Sequence, residues 1–348
     1  MSTYVEEPLV AATAPRGAAS TGLITLCACL AQVMIVLDTT IIAVALPPLQ
    51  QDLAFSDAGR QWSITGYTLA FGSLLLVGGR LSQRLGIRTA FLLGLIGFSL
   101  ASFAGGFAGS YEVFVGARIL QGAFAALLAP TNLSLMNMAF PVAAGRAKAF
   151  AIFGAVAGAG AALGLILGGI LTDAGSWRWC FFVNVPLAVV TAALAGRFLG
   201  VAAGPIRGQG SGDLTGLALG TAGVFSIVFG FSRAEPDGWT ARTTLLLLGG
   251  GAALLVLFLI RQRVARDPLL PLAILRNPVR ASSYLSIAGV GLAQMGASVF
   301  LTYYFQNQLA YSPTRTGVSF LPMVGGLIVA AVVSTRVLVD RVGLRVVY

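Results

Sequence analysis

The chain has 348 residues, 57% of them hydrophobic and only 10% charged, with a mean hydropathy of +0.88. A soluble domain is wetted on every side and carries roughly a quarter charged residues, so this composition excludes one and points to a polytopic membrane protein. The net charge of +10 comes mostly from Arg residues scattered between apolar runs, which is a membrane topology signal and not a nucleic-acid surface.

Apolar stretches of spanning length recur near residues 22–46, 61–79, 89–109, 113–138, 149–172, 181–200, 214–232, 243–260, 281–308 and 316–334. They predict ten transmembrane helices, with turn or charge signals in the breaks. Residues 1–21 form a polar tail, and the apolar run after them is too long for the core of a cleavable signal peptide. Cys27, Cys29 and Cys180 offer no disulfide framework.

The first span holds "VMIVLDTTIIAVALP" at 33–47, with Asp38 among aliphatic residues. A buried carboxylate there needs a partner, a proton or a task. At 1.5 Å per residue it lies roughly 13 Å below Pro47, taken as the outer end of the helix. After the second span comes "GRLSQRLGIR" at 79–88, a short turn bracketed by Gly79 and Gly86 and carrying Arg80, Arg84 and Arg88. The fourth span carries Arg118 in "ARILQGAFAALLAP", roughly 8 Å from its outer start. The two depths differ by less than an Arg side chain can reach. Arg118 could pair with Asp38 inside a bundle or snorkel outward to the headgroups.

The fifth span reads "GAVAGAGAALGLILGG" at 154–169, where Gly160, Gly164 and Gly168 recur every four residues. They form one smooth stripe that a neighbouring helix can approach closely, and this glycine density makes the helix bendable. Beyond the tenth span, "RVLVDRVGLR" at 336–345 repeats the earlier turn, with Arg341, Gly343 and Arg345 matching Arg84, Gly86 and Arg88. Each copy follows the second span of a bundle, which is the parallel internal repeat of a two-bundle transporter.

With the N-terminus inside, sixteen of the 22 basic residues fall on the inner side and five on the outer, Arg118 lying within a span. The positive-inside rule then places both ends in the cytoplasm. The chain has no His, which removes His-based metal sites and Ser-His-Asp chemistry. Its only Lys is Lys148 and no GxxxxGK[ST] occurs, so no Walker-type ATP site is present. "GAGAAL" at 158–163 lacks the last Gly of a dinucleotide fingerprint and follows no strand. No nucleophile is paired with a base, so the reading is not an enzyme, and no cofactor or metal is expected.

These residues together resemble the major facilitator superfamily, in its fourteen-span drug:proton antiporter branch. "LDTTIIAVALP" at 37–47 looks like the first-helix signature, with Ala43 in place of Asn. "GRLSQRLGIR" is similar to the inner-loop motif with Gln83 in place of Asp, and its later copy includes Asp340. "RILQG" at 118–122 matches the fourth-helix motif. The glycine-rich span, Gly160, Gly164, Gly168 and Gly169 included, looks like the antiporter motif with Leu165 in place of Pro. "WRWCFFVNVPL" at 177–187 and "FLTYYFQNQLAYSPTRTGVSFLP" at 300–322 add to the likeness.

The resemblance implies an all-α polytopic protein of major-facilitator-type helical bundles with about ten transmembrane helices present. It divides the chain into a cytoplasmic tail (1–21), an N-terminal six-helix bundle (22–200), two linking helices (201–280) and the first two helices and inner loop of an incomplete C-terminal bundle (281–348). It implies a plasma-membrane exporter of small amphipathic or cationic compounds, with Asp38, Arg118 and Gln121 at the proton and substrate site and the two Arg-rich turns gating the inner side. Proton and substrate would compete at Asp38. Four further spans would be expected after Tyr348. The alternative is a truncated, transport-inactive membrane protein with an assembly or regulatory role.

Overall fold

The computed structural model describes residues 18–140, 143–199, 213–272 and 277–333. The second Arg-rich turn, with Asp340, Arg341, Gly343 and Arg345, lies outside them, as does most of the N-terminal tail. The described residues form helices α1 (Ala18–Asp52), α2 (Asp57–Leu85), α3 (Ile87–Gly106), α4 (Tyr111–Ala139), α5 (Ala143–Ala174), α6 (Trp179–Phe182), α7 (Asn184–Phe198), α8 (Leu214–Asp237), α9 (Arg242–Val264), α10 (Pro278–Tyr303), α11 (Pro313–Ser319) and α12 (Leu321–Val333). Among them nine segments are long and apolar enough to cross a membrane. The ninth covers α10 and the π-helical turn Tyr304–Gln308 after it.

Local sequence sets the helix ends. Ser56, Ser110, Asp213 and Ser312 each accept a backbone N–H in the first turn of the helix they precede. Gly86, at φ +83°, makes the turn between α2 and α3, a conformation that side chains with a Cβ rarely adopt.

Three expectations are revised. Pro47 does not end the first helix, which continues to Asp52. Pro48 has no N–H for the Val44 carbonyl, and Gln306 Nε2 donates to that oxygen instead, at 3.1 Å. The sixth span runs over Trp179–Phe198 but is jointed at Val183, which keeps helical dihedrals, with Pro186 in the first turn of α7 removing one bond from the ladder. The tenth is broken between α11 and α12.

Helix α1 is the hub. It packs against α4 and α7 on one side and along α5 on another, while α3 closes against α4 and α7, and α2 against α4. The α8–α9 pair lies on α2. One buried cluster joins Met34 to Phe91, Leu95, Phe98 and Leu128. A second joins Ile41 and Leu46 to Phe114, Trp177 and Phe181. Asp38 sits on α1 between the two. A third, of Val44, Leu165, Phe320 and Val324, joins α1 and α5 to α11 and α12. Outward faces are apolar, with Leu292 78% and Phe300 79% exposed, which suits hydrocarbon and not water.

Candidate functional site

Arg118 and Gln121 are three residues apart on α4 and so share a face, which is turned toward Asp38 on α1. Arg118 Nη1 donates to Asp38 Oδ2 at 2.6 Å and to Gln121 Oε1 at 2.9 Å. Gln121 Nε2 donates to Asp38 Oδ1 at 2.9 Å. Arg118 Nε donates to the Ser63 carbonyl at 3.4 Å, and its guanidinium lies 4.5 Å from the Tyr67 ring centroid. All three side chains are buried, Arg118 only 1% exposed. Of the two arrangements open to Arg118, the pair with Asp38 is the one formed, and Arg118 does not snorkel.

Glycine makes the geometry possible. A Cβ on Gly122 would collide with the Tyr67 carbonyl, so only glycine lets α2 and α4 cross this closely and set the Tyr67 ring beside Arg118.

Two members of this network carry no resemblance-derived role. Asn184 Nδ2 donates to Asp38 Oδ1 at 3.0 Å and to Ser102 Oγ at 2.9 Å, and Ser102 in turn donates to the Phe181 carbonyl at 2.8 Å. The sequence signal was present, since Asn184 interrupts "FFVNVPL" much as Asp38 interrupts its own run. Asp38 thus accepts from three side chains. A buried ion pair adds little net stability once desolvation is counted, so packing alone does not account for it.

The glycine stripe of α5 faces α1. Cβ atoms on Gly160, Gly164 and Gly168 would meet Val33, Thr40 and Ile41 respectively, while one on Gly169 would meet Pro313 backbone at the start of α11. With Leu165 in place of Pro, α5 runs unbroken. In the Arg-rich turn, Arg80 Nη1 reaches Gln83 Oε1 at 3.5 Å and forms an ion pair with Asp267, beyond α9, at 3.3 Å. Arg88 Nη2 donates to the Gly196 carbonyl of α7 at 2.7 Å. Gly79 and Arg84 lie in the last two turns of α2. The turn is thus tied to both the bundle and the linking pair, and Asp267 was not foreseen.

A cavity of about 200 Å³ lies between α1, α2, α5 and α10, lined by Val36, Thr39, Thr40, Ile64, Gln294 and Ser298 among others. No ionisable side chain is among its described lining residues. Thr39 donates to the Val36 carbonyl, Thr40 also to Val36, and Ser298 to Gln294, so each hydroxyl offers the cavity an acceptor oxygen. Asp38 is fully buried on another face of α1 and does not line the cavity. Toward the Trp177 end of α1 lie further contacts between these helices: Tyr303 donates to Gln50, Thr314 N–H to Asp173, and Arg60 lies over the Tyr303 ring. A second cavity, of about 380 Å³, is lined there by Gln50, Phe55, Arg60, Tyr303 and Asn307 among others.

The profile of the Major Facilitator Superfamily matches residues 28–348. The chain is 44% identical over 314 residues to the puromycin resistance protein of Streptomyces alboniger, covering 88% of this chain and 61% of that one. It is 37% identical over 312 residues to the tetracenomycin C resistance and export protein of Streptomyces glaucescens, covering 89% and 57%. The chain thus spans about three fifths of the length of these curated relatives. In fold it is similar to the crystal structure of the peptide transporter POT in complex with sulfate, with a TM-score of 0.60 at 15% identity over 96% of this chain and 73% of that one.

Proposed function

The chain belongs to the Major Facilitator Superfamily, a family of transporters and not of enzymes, and from that premise we propose that it exports small amphipathic or cationic compounds in exchange for protons. The observation that carries the reading is the Asp38–Arg118 pair, a charge pair held out of water inside a span. Intramembrane ionisable groups of this kind mark ion or substrate pathways. The relatives' names, which speak of puromycin resistance and of tetracenomycin C resistance and export, support the direction and the kind of cargo.

In this reading residues 22–200 are one bundle, α8 and α9 link it to the next, and α10 to α12 begin the second. The basic turn at Arg80, Arg84 and Arg88 faces the cytoplasm, as does the N-terminus. The cavity receives the cargo. Its hydroxyl acceptors and the Gln294 amide suit a solute that carries hydrogen-bond donors on an apolar body. Because Asp38 faces away from the cavity, cargo and proton do not compete for one carboxylate. Protonation instead changes how α1 packs on α4 and α7, and α1 carries the change to its cavity face. That is exchange by alternating access with a helix between the two sites.

Asp38→Asn keeps the size of the side chain and removes its charge. In inside-out membrane vesicles, proton-driven export by this variant should fall to background while membrane abundance is retained. Wild-type pH-dependent exchange in Asp38→Asn would refute the proposed role.

A further inference from the structure

Asn184 Oδ1 is buried and has no hydrogen-bond partner among the described residues, beside a carboxylate that receives the other end of the same amide. A buried acceptor without a partner is costly, and an asparagine amide can exchange its two ends by turning about one bond. The neighbouring links fix the present orientation. Ser102 gives its only proton to the Phe181 carbonyl, so its oxygen accepts from Asn184 Nδ2.

We propose that Asn184 is a positioning residue that reads the protonation state of Asp38 and relays it to the joint between α6 and α7. This rests on the reading of Asp38 as the proton site. When Asp38 Oδ1 gains a proton it changes from acceptor to donor, and the amide then faces a like group. A half-turn of Asn184 places Oδ1 where Nδ2 was and turns the Nδ2 protons into the place Oδ1 leaves, so the unpartnered end of the amide changes from acceptor to donor. In its new place Oδ1 has two lone pairs and accepts from both Asp38 and Ser102. Ser102 turns its hydroxyl away from Phe181 to donate to Asn184, and the Phe181 carbonyl is released. Both hydrogen bonds of the Asn184 amide reverse direction, the bond from Ser102 to the Phe181 carbonyl is broken, and no proton moves beyond the one Asp38 received.

Gln121 cannot play this part, because Arg118 already donates to its oxygen and holds its orientation. The ionisable groups facing Asp38 are Arg118 from α4, Tyr67 from α2 and Cys180 from α6. At this depth α5 presents Gly164 to the Leu37 carbonyl and Thr40. The joint is the natural receiver: Pro186 has no N–H to give to the helical ladder between α6 and α7, and Phe181 packs in one buried cluster with Phe114 and Trp177.

The test compares Ser102→Ala, Asn184→Leu and Asp38→Asn in the full-length protein reconstituted in vesicles. Two fluxes are read: proton-driven export and proton-independent exchange of labelled for unlabelled cargo. Ethidium serves as the cationic probe and chloramphenicol as the neutral one. Ser102→Ala and Asn184→Leu should lose proton-driven export at least ten-fold while exchange stays within two-fold of wild type. Infrared difference spectra between high and low pH, with isotope-labelled asparagine, should contain a side-chain amide band that is lost in both Asp38→Asn and Asn184→Leu. Should Asp38→Asn abolish coupled export while the other two variants keep it, the relay is wrong and the proton site stands. If Asp38→Asn itself keeps coupled export, the proton site and the relay fall together. If Asn184→Leu does not fold, Ser102→Ala and the wild-type spectrum still decide, and absence of the amide band in wild type overturns the relay.

Discussion

Among the described residues Arg118 meets Asp38, Gln121, the Ser63 carbonyl and the rings of Tyr67 and Phe181 at once. Lysine keeps the charge but offers one compact ammonium in place of a planar fork, so it cannot bridge Asp38 and Gln121 while lying flat beside Tyr67. Arg118→Lys should therefore insert normally yet reduce proton-driven export at least ten-fold, as read by efflux from energised vesicles at matched abundance. An unchanged rate would mean that charge alone suffices at this position. The pair was legible in the sequence because both residues violate the solvent of their own helices; the depth taken from Pro47 does not carry over, since α1 runs on to Asp52. Asn184 and Ser102 were not singled out, since neutral polar residues in apolar spans commonly satisfy themselves against their own helix, as Thr191 and Thr131 do here. Only tertiary packing distinguishes the two cases.

Helix-scale features separate glycines that are required from glycines that are merely present. A Cβ at Gly164 would meet Thr40 Oγ1 and the Leu37 carbonyl, whereas one at Gly158 meets nothing within 4 Å among the described residues. Gly158→Ala should be tolerated or slightly stabilising, since Ala is the better helix former by about 1 kcal/mol. Gly164→Ala should force α1 and α5 apart at a cost of roughly 1–3 kcal/mol, visible as a lowered Tm in detergent and as lost export. A similar loss from both would reduce the stripe to general flexibility. At the start of α8, burial acts to raise the Asp213 carboxyl, but the Gly216 N–H, Arg261 and Gln262 outweigh it and hold it below the ordinary carboxylate range. A depressed value means this contribution is complete at neutral pH and is lost as pH falls through the folded-state value, below about 4. Asp213→Ala should cost about 1–2 kcal/mol at pH 7, and its gap in Tm from wild type should narrow in acid. Helix number and order were largely legible from apolar length. The joint at Val183, the break at Phe320 and the run through Pro47 were not, because a proline inside a span is decided by whether a neighbour such as Gln306 takes up the carbonyl it orphans.

For the molecule as a whole, orientation underlies every statement about which end admits protons and which releases cargo, and it rests on the distribution of Arg. The basic turn after α2 and the last turn of α9, with Arg261 and Arg263, lie at the same end of the molecule, joined through Arg80 and Asp267. The turn between α8 and α9, around Asp237 and Gly238, lies at the other end of that pair. If the first end is cytoplasmic, a cysteine at Gln83 is shielded from an impermeant maleimide added to intact cells and a cysteine at Asp237 is reachable. The background must lack Cys27, Cys29 and Cys180, which are buried and can be replaced by Ala or Ser with little change in volume. Asp237→Cys should label in intact cells, and Gln83→Cys only after permeabilisation. The reverse pattern would turn the molecule over. The end that carries Gln50, Arg60 and Tyr303 would then face the cytoplasm, and the basic turn after α2 would face outward.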